Sequence, residues 1–285
     1  MIHVLHGNRE TVDFDDNSSL LLYNNTEYEN YPNHWHIPAE IIMPTQNWYH
    51  VECAGTQYHL REGDVLLISP GALHQIRAPE QGRRMIFLAD LSALNRLSEI
   101  ELIMTLISPA LCITPESDPD IHAAIKAGME KIFEEYFNAT FLRETCIYAN
   151  LIQMLAIIGK AFAAKARSPS SENPVPKSHF EQFVILFDYI NAHYNENLTL
   201  EAMANMAGFS KYYFTRLFKQ VTGLSFYKYL NQTRISFAAQ LLSDPSRSIA
   251  EVATCSGFST LSAFIRMFKI HKKCTPTAYR KMYTL

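Results

Sequence analysis

Four residues carry the means for coordination chemistry. His34, His36 and Glu40 stand in the pattern H-x-H-x-x-x-E, and His74 follows in P-G-x-x-H (Pro70, Gly71, His74), with Gly63-Asp64 between the two. On a strand, residues two apart share a face, so His34 and His36 point the same way. Three imidazoles and one carboxylate are donors that suit a divalent transition metal. The same four side chains also suit the mouth or lining of a polar pocket. That reading is preferred: no cofactor is expected, and a metal at His34, His36, Glu40 and His74 is kept as the alternative. Nearby lie the polar-tipped aromatics Trp35, Trp48, Tyr49, His50 and Tyr58. Flat faces beside hydrogen-bonding groups suit a small polar organic molecule, with a sugar as the expected class. The expected lining is His34, Trp35, His36, Glu40, Trp48 and His74.

A second chemistry is written twice. Met203–Ser210 (M-A-N-M-A-G-F-S) matches Val252–Ser259 (V-A-T-C-S-G-F-S), and Phe214–Lys219 (F-T-R-L-F-K) matches Phe264–Lys269 (F-I-R-M-F-K). Phe214, Leu217 and Phe218 fall at helical spacing and face a core, as do Phe264, Met267 and Phe268. The opposite faces hold Tyr212, Thr215, Arg216 and Lys219 in one copy, and Leu261, Ser262, Ile265, Arg266 and Lys269 in the other. A short helix with core on one side and Arg plus Lys on the other suits the DNA major groove. Arg216, Lys219, Arg266 and Lys269 are the expected electrostatic and readout core, with Tyr212 and Thr215 as base or phosphate neighbours. Leu261 and Ile265 can meet thymine methyls but cannot read guanine, so the first copy is expected to carry most direct readout. One such helix alone would suit a plain helical bundle; two copies in matched context favour the DNA reading.

The elements that position these groups follow from punctuation and period. Residues 1–115 read as β: short apolar runs such as Val65–Ser69 and Arg83–Ala89 are bounded by turn signals at about ten-residue spacing. Ile121–Tyr136 and Leu142–Ala166 repeat apolar residues at helical spacing, as two amphipathic helices that pack on the barrel, form a dimer interface, or do both. Residues 167–178, with three prolines and small polar residues, read as a linker. Beyond it the chain reads as helix. Thr199 and Ser248 are expected N-caps, Ser248 with Glu251 making a capping box. Gly208 and Gly257 are expected at sharp turns, with Phe209 and Phe258 plugging the angle, and Ser210 and Ser259 capping the second helix of each pair.

These motifs carry a resemblance. Residues 180–283 resemble the DNA-binding domain of AraC/XylS-type transcription regulators, through A-x-x-A-G-F-S (Ala204–Ser210), F-T-R-L-F-K, T-G-L-S-F-Y-K-Y-L (Thr222–Leu230) and R-I-S-F-A-A-Q-L-L (Arg234–Leu242). The set closes with Ile249–Ser259 and T-P-T-A-Y-R (Thr275–Arg280). Lys272-Lys273-Cys274 stands where the family usually has Gly before T-P. The H-x-H-x-x-x-E and P-G-x-x-H pair resembles the two cupin motifs, in the form common among sensor domains of that family. The resemblance implies an α+β multidomain protein: a cupin-like effector-sensing β-barrel at 1–118, a helical dimerisation segment at 119–166, and an all-α domain at 179–285. In that last domain two helix-turn-helix units, at about 198–222 and 247–271, are joined by a helix at about Phe226–Ser243. It further implies a cytoplasmic homodimer that binds double-stranded promoter DNA and a small-molecule effector, with RNA polymerase as a further partner.

Composition agrees with this and narrows it. The chain has 285 residues, 48% apolar and 19% charged, which suits two globular domains and argues against disorder. Its net charge of −3 is a cancellation: residues 1–170 carry 21 acidic and 12 basic residues, and residues 171–285 carry 7 and 13. A basic half suits a polyanionic partner. The five cysteines, with no C-x-x-C, suit a reducing compartment. The N-terminus lacks signal-peptide character. The apolar stretch Leu151–Ala164 is broken by Gln153 and Lys160 and reads as too short to span a bilayer, so no membrane is expected. No nucleophile elbow or phosphate loop occurs, so an enzyme is not expected; a cupin-type enzyme or metal-binding sensor fused to the DNA-binding region is the alternative.

Overall fold

A computed structural model of the chain describes residues 5–6, 8–14, 18–26, 30–94, 97–138, 141–167, 177–242, 244–272 and 274–281. They divide into two compact units, Met1–Phe162 and Ala163–Leu285. Most of the expected linker, residues 168–176, lies outside the described residues.

The first unit runs β1 (Leu5–His6), β2 (Arg9–Glu10), β3 (Leu20–Asn25), β4 (Tyr31–His34), β5 (Ala39–Gln46), β6 (Tyr49–Cys53), β7 (Thr56–Leu60), β8 (Val65–Ile68), β9 (His74–Arg77) and β10 (Arg83–Ala89). After a 3₁₀ turn come α1 (Ser98–Ile107), β11 (Ala110–Ile113), α2 (Pro119–Asn138) and α3 (Arg143–Arg167). Two antiparallel sheets do the work: five strands in the order β11-β8-β5-β10-β3, and four in the order β4-β9-β6-β7. The period of two sorts the five-stranded sheet into two faces. Ile42, Leu66, Ile68 and Ile86 face the four-stranded sheet and share a core with its Tyr31, Tyr49, Val51, Leu60 and Ile76. Their neighbours Ile41, Met43, Val65, Leu67, Met85 and Phe87 face the helices and pack with Ile103, Ile107, Met129, Ile147, Leu151 and Met154.

Residues 1–115 are not β throughout. Ile100, Ile103 and Ile107 recur at helical spacing and are buried on one stripe of α1, against the same sheet face as α2 and α3. The apolar stretch at Leu151–Ala164 belongs to a longer helix: Arg143–Lys165 is long and apolar enough, by length and composition, to cross a membrane. Its Ile147, Leu151, Met154, Leu155 and Ile158 are buried in the core of this unit, the pattern of a core helix.

The second unit is helical: α4 (Lys177–His193), α5 (Leu200–Met206), α6 (Lys211–Thr222), α7 (Phe226–Leu241), α8 (Ile249–Cys255), α9 (Leu261–Lys272) and α10 (Pro276–Arg280). Phe183 of α4 stacks on Phe214 of α6 with ring centroids 5.9 Å apart, and Phe187 meets Phe218 and Tyr229. Phe264 and Phe268 of α9 pack with Phe258 and Tyr279 in the same manner. Thr199 accepts from the Ala202 N–H, and Ser248 and Glu251 form the reciprocal capping box. Gly208 and Gly257 both take positive φ, +70° and +80°. The cap of α9 is Thr260 and not Ser259: the second turn holds one more residue than the first, and the Thr260 hydroxyl accepts from the Ala263 N–H. Ser210 plays that part for α6.

Candidate functional site

The four coordination residues come together because of register. β4 pairs with β9 so that His34 lies directly across from His74, and their rings are 4.2 Å apart. Trp35 continues the strand by bonding to the backbone of Asn8 and Glu10, and His36 follows it. Glu40 sits on β5, at the centre of the other sheet, on the face that looks at His34 and His74. The Gly71 N–H donates to the His36 carbonyl, so the second motif braces the first.

All four residues are buried, and one ligand atom from each lies within 4.8 Å of the others. Each imidazole is held the same way: its Nδ1 lies 2.7–3.0 Å from a backbone carbonyl two residues off, those of Pro32, Pro38 and Ala72. A carbonyl only accepts, so Nδ1 carries the proton in each ring and Nε2 is turned inward. Nε2 of His36 is 3.0 Å and Nε2 of His74 2.8 Å from Glu40 Oε2, while His34 Nε2 is 3.2 Å from Glu10. The His74 contact is close yet lacks hydrogen-bond geometry. Burial would raise the Glu40 carboxyl; the neighbouring His74 and His36 imidazoles outweigh it and hold the group well below the usual carboxylate range. Burial likewise pulls His34 down, and its bond to Glu10 together with Glu40 pushes it above the ordinary value. Nε2 atoms held inward by backbone-bonded Nδ1 atoms are the arrangement that orients metal-ligating histidines.

The expected aromatic platform is not one surface. Trp35 is 5% exposed and lies between His34 and His36 in the chain, and Tyr49 points into the interior. Trp48 is 40% exposed and packs on His50 and His59. His50 lies on the face of the four-stranded sheet opposite that of Val51, so Trp48 sits away from His34, His36, Glu40 and His74.

In the helical unit, the core side of each second helix is buried and the other side is in water. On α6, Tyr212 is 89% exposed, and Thr215, Arg216 and Lys219 are exposed. The Arg216 guanidinium lies 5.3 Å from the Tyr213 ring, and the Thr215 hydroxyl donates back to the Lys211 carbonyl. On α9, Leu261, Ser262, Arg266 and Lys269 are exposed and Ile265 is half-buried. A residue outside the expected set fixes these helices. Arg234 of α7 donates to the carbonyls of Tyr194 and Glu196 and lies over the Phe258 ring, which ties the α7 spacer to the α8–α9 turn.

Residues 17–111 match the AraC-like ligand binding domain, and residues 203–282 match a helix-turn-helix domain. Over 91 residues the chain is 34% identical to the probable transcription factor PqrA of Proteus vulgaris, covering 32% of this chain and 75% of that one. The chain belongs to the AraC family of transcription regulators. It is also similar to the regulatory protein PocR of Salmonella typhimurium, at 37% identity over 37% of this chain, and it spans only 35% of PocR's length. Likeness along nearly the whole chain is found with the uncharacterised regulator YdeC of Bacillus subtilis, at 24% identity over 88% of this chain and 86% of that one. Within the family frame the N-terminal unit is the ligand-binding domain and the C-terminal unit the helix-turn-helix domain.

Proposed function

We propose that this chain regulates transcription by binding promoter DNA in a sequence-specific way, under control of a small molecule held in the interior of the N-terminal unit, and that it does no catalysis. The observation that carries the reading is the matched pair α6 and α9: two capped helices, each with its aromatic face buried and Arg plus Lys in solvent. Arg216, Lys219, Arg266 and Lys269 neutralise phosphates and read bases, with Tyr212, Thr215, Leu261, Ser262 and Ile265 beside them. The affinity therefore falls steeply with salt, because each neutralised phosphate releases counterions. Gel shifts of the full chain on the DNA upstream of its own coding sequence, repeated over a salt series, test this. An Arg216→Ala, Arg266→Ala double variant loses at least tenfold in affinity; a variant that binds like the parent overturns the reading.

The protein acts as a homodimer through α2 and α3. Phe137, Phe141 and Leu142, at the junction of these helices, are exposed apolar residues that a partner would cover. A monomer at micromolar concentration in sedimentation would contradict this.

One observation favours a second reading, a metal-bearing sensor. Three imidazoles with Nδ1 fixed by carbonyls, and a His74 Nε2 with no hydrogen-bond partner, fit a divalent transition metal with Glu40 as the fourth ligand. Such an ion would supply a fixed positive charge at the inner face of the pocket. Metal analysis of the purified chain and of His36→Ala separates the readings: stoichiometric zinc or nickel lost in the variant supports the metal, and none in either supports the plain pocket.

A further inference from the structure

One charged side chain in the ligand-binding unit has no partner in anything described above. Arg84 is 0% exposed. It stands on β10 opposite Asn25 of β3 and Pro44 of β5, on the face that looks at the four-stranded sheet. Among the described residues its Nε, Nη1 and Nη2 make no hydrogen bond of good geometry, the nearest polar group being the Tyr31 hydroxyl, which the guanidinium also helps to hold down. Among the described residues no carboxylate lies within ion-pair distance of it. Glu40 is on the same face but lies beyond the Ile42–Ile86 pair, roughly 13 Å away by strand rise, and is already engaged by His36 and His74. What surrounds the guanidinium is aromatic: the Tyr49 ring at 4.7 Å and the Tyr31 ring at 5.3 Å. The Tyr31 hydroxyl accepts from Asn25 Nδ2 at 3.0 Å. Burial pushes the Tyr31 phenol up, and the charge of Arg84 pulls against it.

A guanidinium keeps its charge at any pH a protein survives. Burying one with no counter-charge is strongly unfavourable, and contact with aromatic faces offsets only part of that. A planar fork of five donors finds its complement in a carboxylate, which it can hold with two parallel bonds. We propose that Arg84 is the anchor of the effector site and that the effector is an organic monocarboxylate, its charge paired with Arg84 and its body lying against Tyr31 and Tyr49. The proposal rests on the reading of this unit as an effector-binding domain. One buried positive charge matches one negative charge, whereas a phosphate dianion would bring a second charge that nothing there neutralises. The flanking Ile42 and Ile86 suit an apolar or flat body. A neutral sugar would leave the guanidinium unpaired; a sugar acid would not.

The test uses the full chain, with benzoate and glucuronate as two carboxylates of different body and glucose as the neutral control. Binding is followed by calorimetry, and DNA affinity by gel shift with and without each compound. At least one carboxylate saturates a single site and glucose does not. Arg84→Met weakens that binding at least tenfold, while its ligand-free melting temperature stays equal or rises, because a lone buried charge has been removed; a merely structural arginine would lower it. Should Arg84→Met fail to fold, Arg84→Lys, which keeps the charge and loses the fork, also weakens binding at least tenfold. Unchanged affinity in the folded variant overturns the proposal, and so does glucose binding in place of both carboxylates, or binding of none of the three. Failure of the underlying reading looks different: carboxylate binding that depends on Arg84 but leaves DNA affinity unchanged upholds the anion site and overturns its role as an effector site.

Discussion

In the ligand-binding unit the buried polar residues include His34, His36, Glu40, Asp64, His74 and Arg84; among the described residues of the helix-turn-helix unit they are Thr222, Thr233 and Ser256. Arg216, Lys219, Arg266 and Lys269 of the second unit stand in solvent instead. Both units reach a close-packed core, so the difference does not come from a shortage of apolar residues. It follows from what each must hold. A small molecule is enclosed, and its recognition needs polar groups at positions that would otherwise be core. A DNA duplex is met at a surface, and its phosphates draw charges that cost nothing to keep hydrated. Changing Glu40, engaged by its neighbours in the first unit, is therefore a folding event, whereas changing Arg216 in the second is a binding event.

The largest test of that contrast is Glu40→Leu. Removing the carboxylate leaves the inward Nε2 atoms of His36 and His74 facing an apolar group in a buried site. The expected loss is about 3 kcal/mol or more, by the cost of breaking a buried pair. Both tryptophans, Trp35 and Trp48, belong to this unit, so tryptophan fluorescence in urea reports it without the helical unit. A midpoint within error of the parent would mean that the quartet is not part of the folded core.

Next comes a pair of glycines in the second unit. A Cβ on Gly257 would come within 2.7 Å of the Asn195 Cα and 2.9 Å of Arg234 Nε, at a φ of +80°. A Cβ on Gly208 meets nothing within 4 Å, at +70°. Gly208→Ala thus pays only for left-handed backbone, about 1–2 kcal/mol, while Gly257→Ala adds overpacking, for a total of about 3 kcal/mol. Far-UV circular dichroism in urea checks both, and equal losses would mean that the Arg234 tie is not rigid.

Arg216→Ala reverses the pattern. Stability moves by no more than about 0.5 kcal/mol, as for other exposed positions, while DNA affinity falls by about 1–3 kcal/mol and specificity relaxes at one position of the site. An unchanged binding-site preference would remove Arg216 from direct readout.

The legibility of the two units differs for related reasons. The helical unit was readable in detail because local chemistry sets its landmarks: Thr199, Ser210 and Ser248 cap, and Gly208 and Gly257 turn, for reasons contained within a few residues. Thr260 is masked in the sequence because the shared Gly-Phe-Ser sets Ser259 opposite Ser210, although the offset between copies changes by one just there. The histidines and Glu40 stood out by type and spacing, but the pairing of His34 with His74 depends on strand register, which the sequence does not print. Helix α1 carries its own signal in Ile100, Ile103 and Ile107, but it follows a long series of short apolar runs whose turn signals read as β. Arg84 had no local signal. It sits in R-R-M-I-F-L-A next to the exposed Arg83, and only the choice of sheet face decides which of the two is buried.

The smallest effect contrasts one cysteine from each unit. Cys112 on β11 is half-buried; burial, then Asp64 and Asp118, push its thiol up to about 12. Cys255 at the end of α8 is exposed. Only the thiolate attacks an alkylating reagent, so at pH 8 roughly one Cys112 in ten thousand is reactive at any moment. Iodoacetamide followed by peptide mass mapping therefore labels Cys255 well before Cys112. The sign with pH follows from the raised value: labelling of Cys112 climbs about tenfold per pH unit all the way to pH 11, for as long as the fold holds. If Cys112 labels as fast as Cys255 at pH 8, the edge strand β11 is opening in solution. The ligand-binding unit would then expose a sheet face that its helices and its second sheet otherwise keep from water.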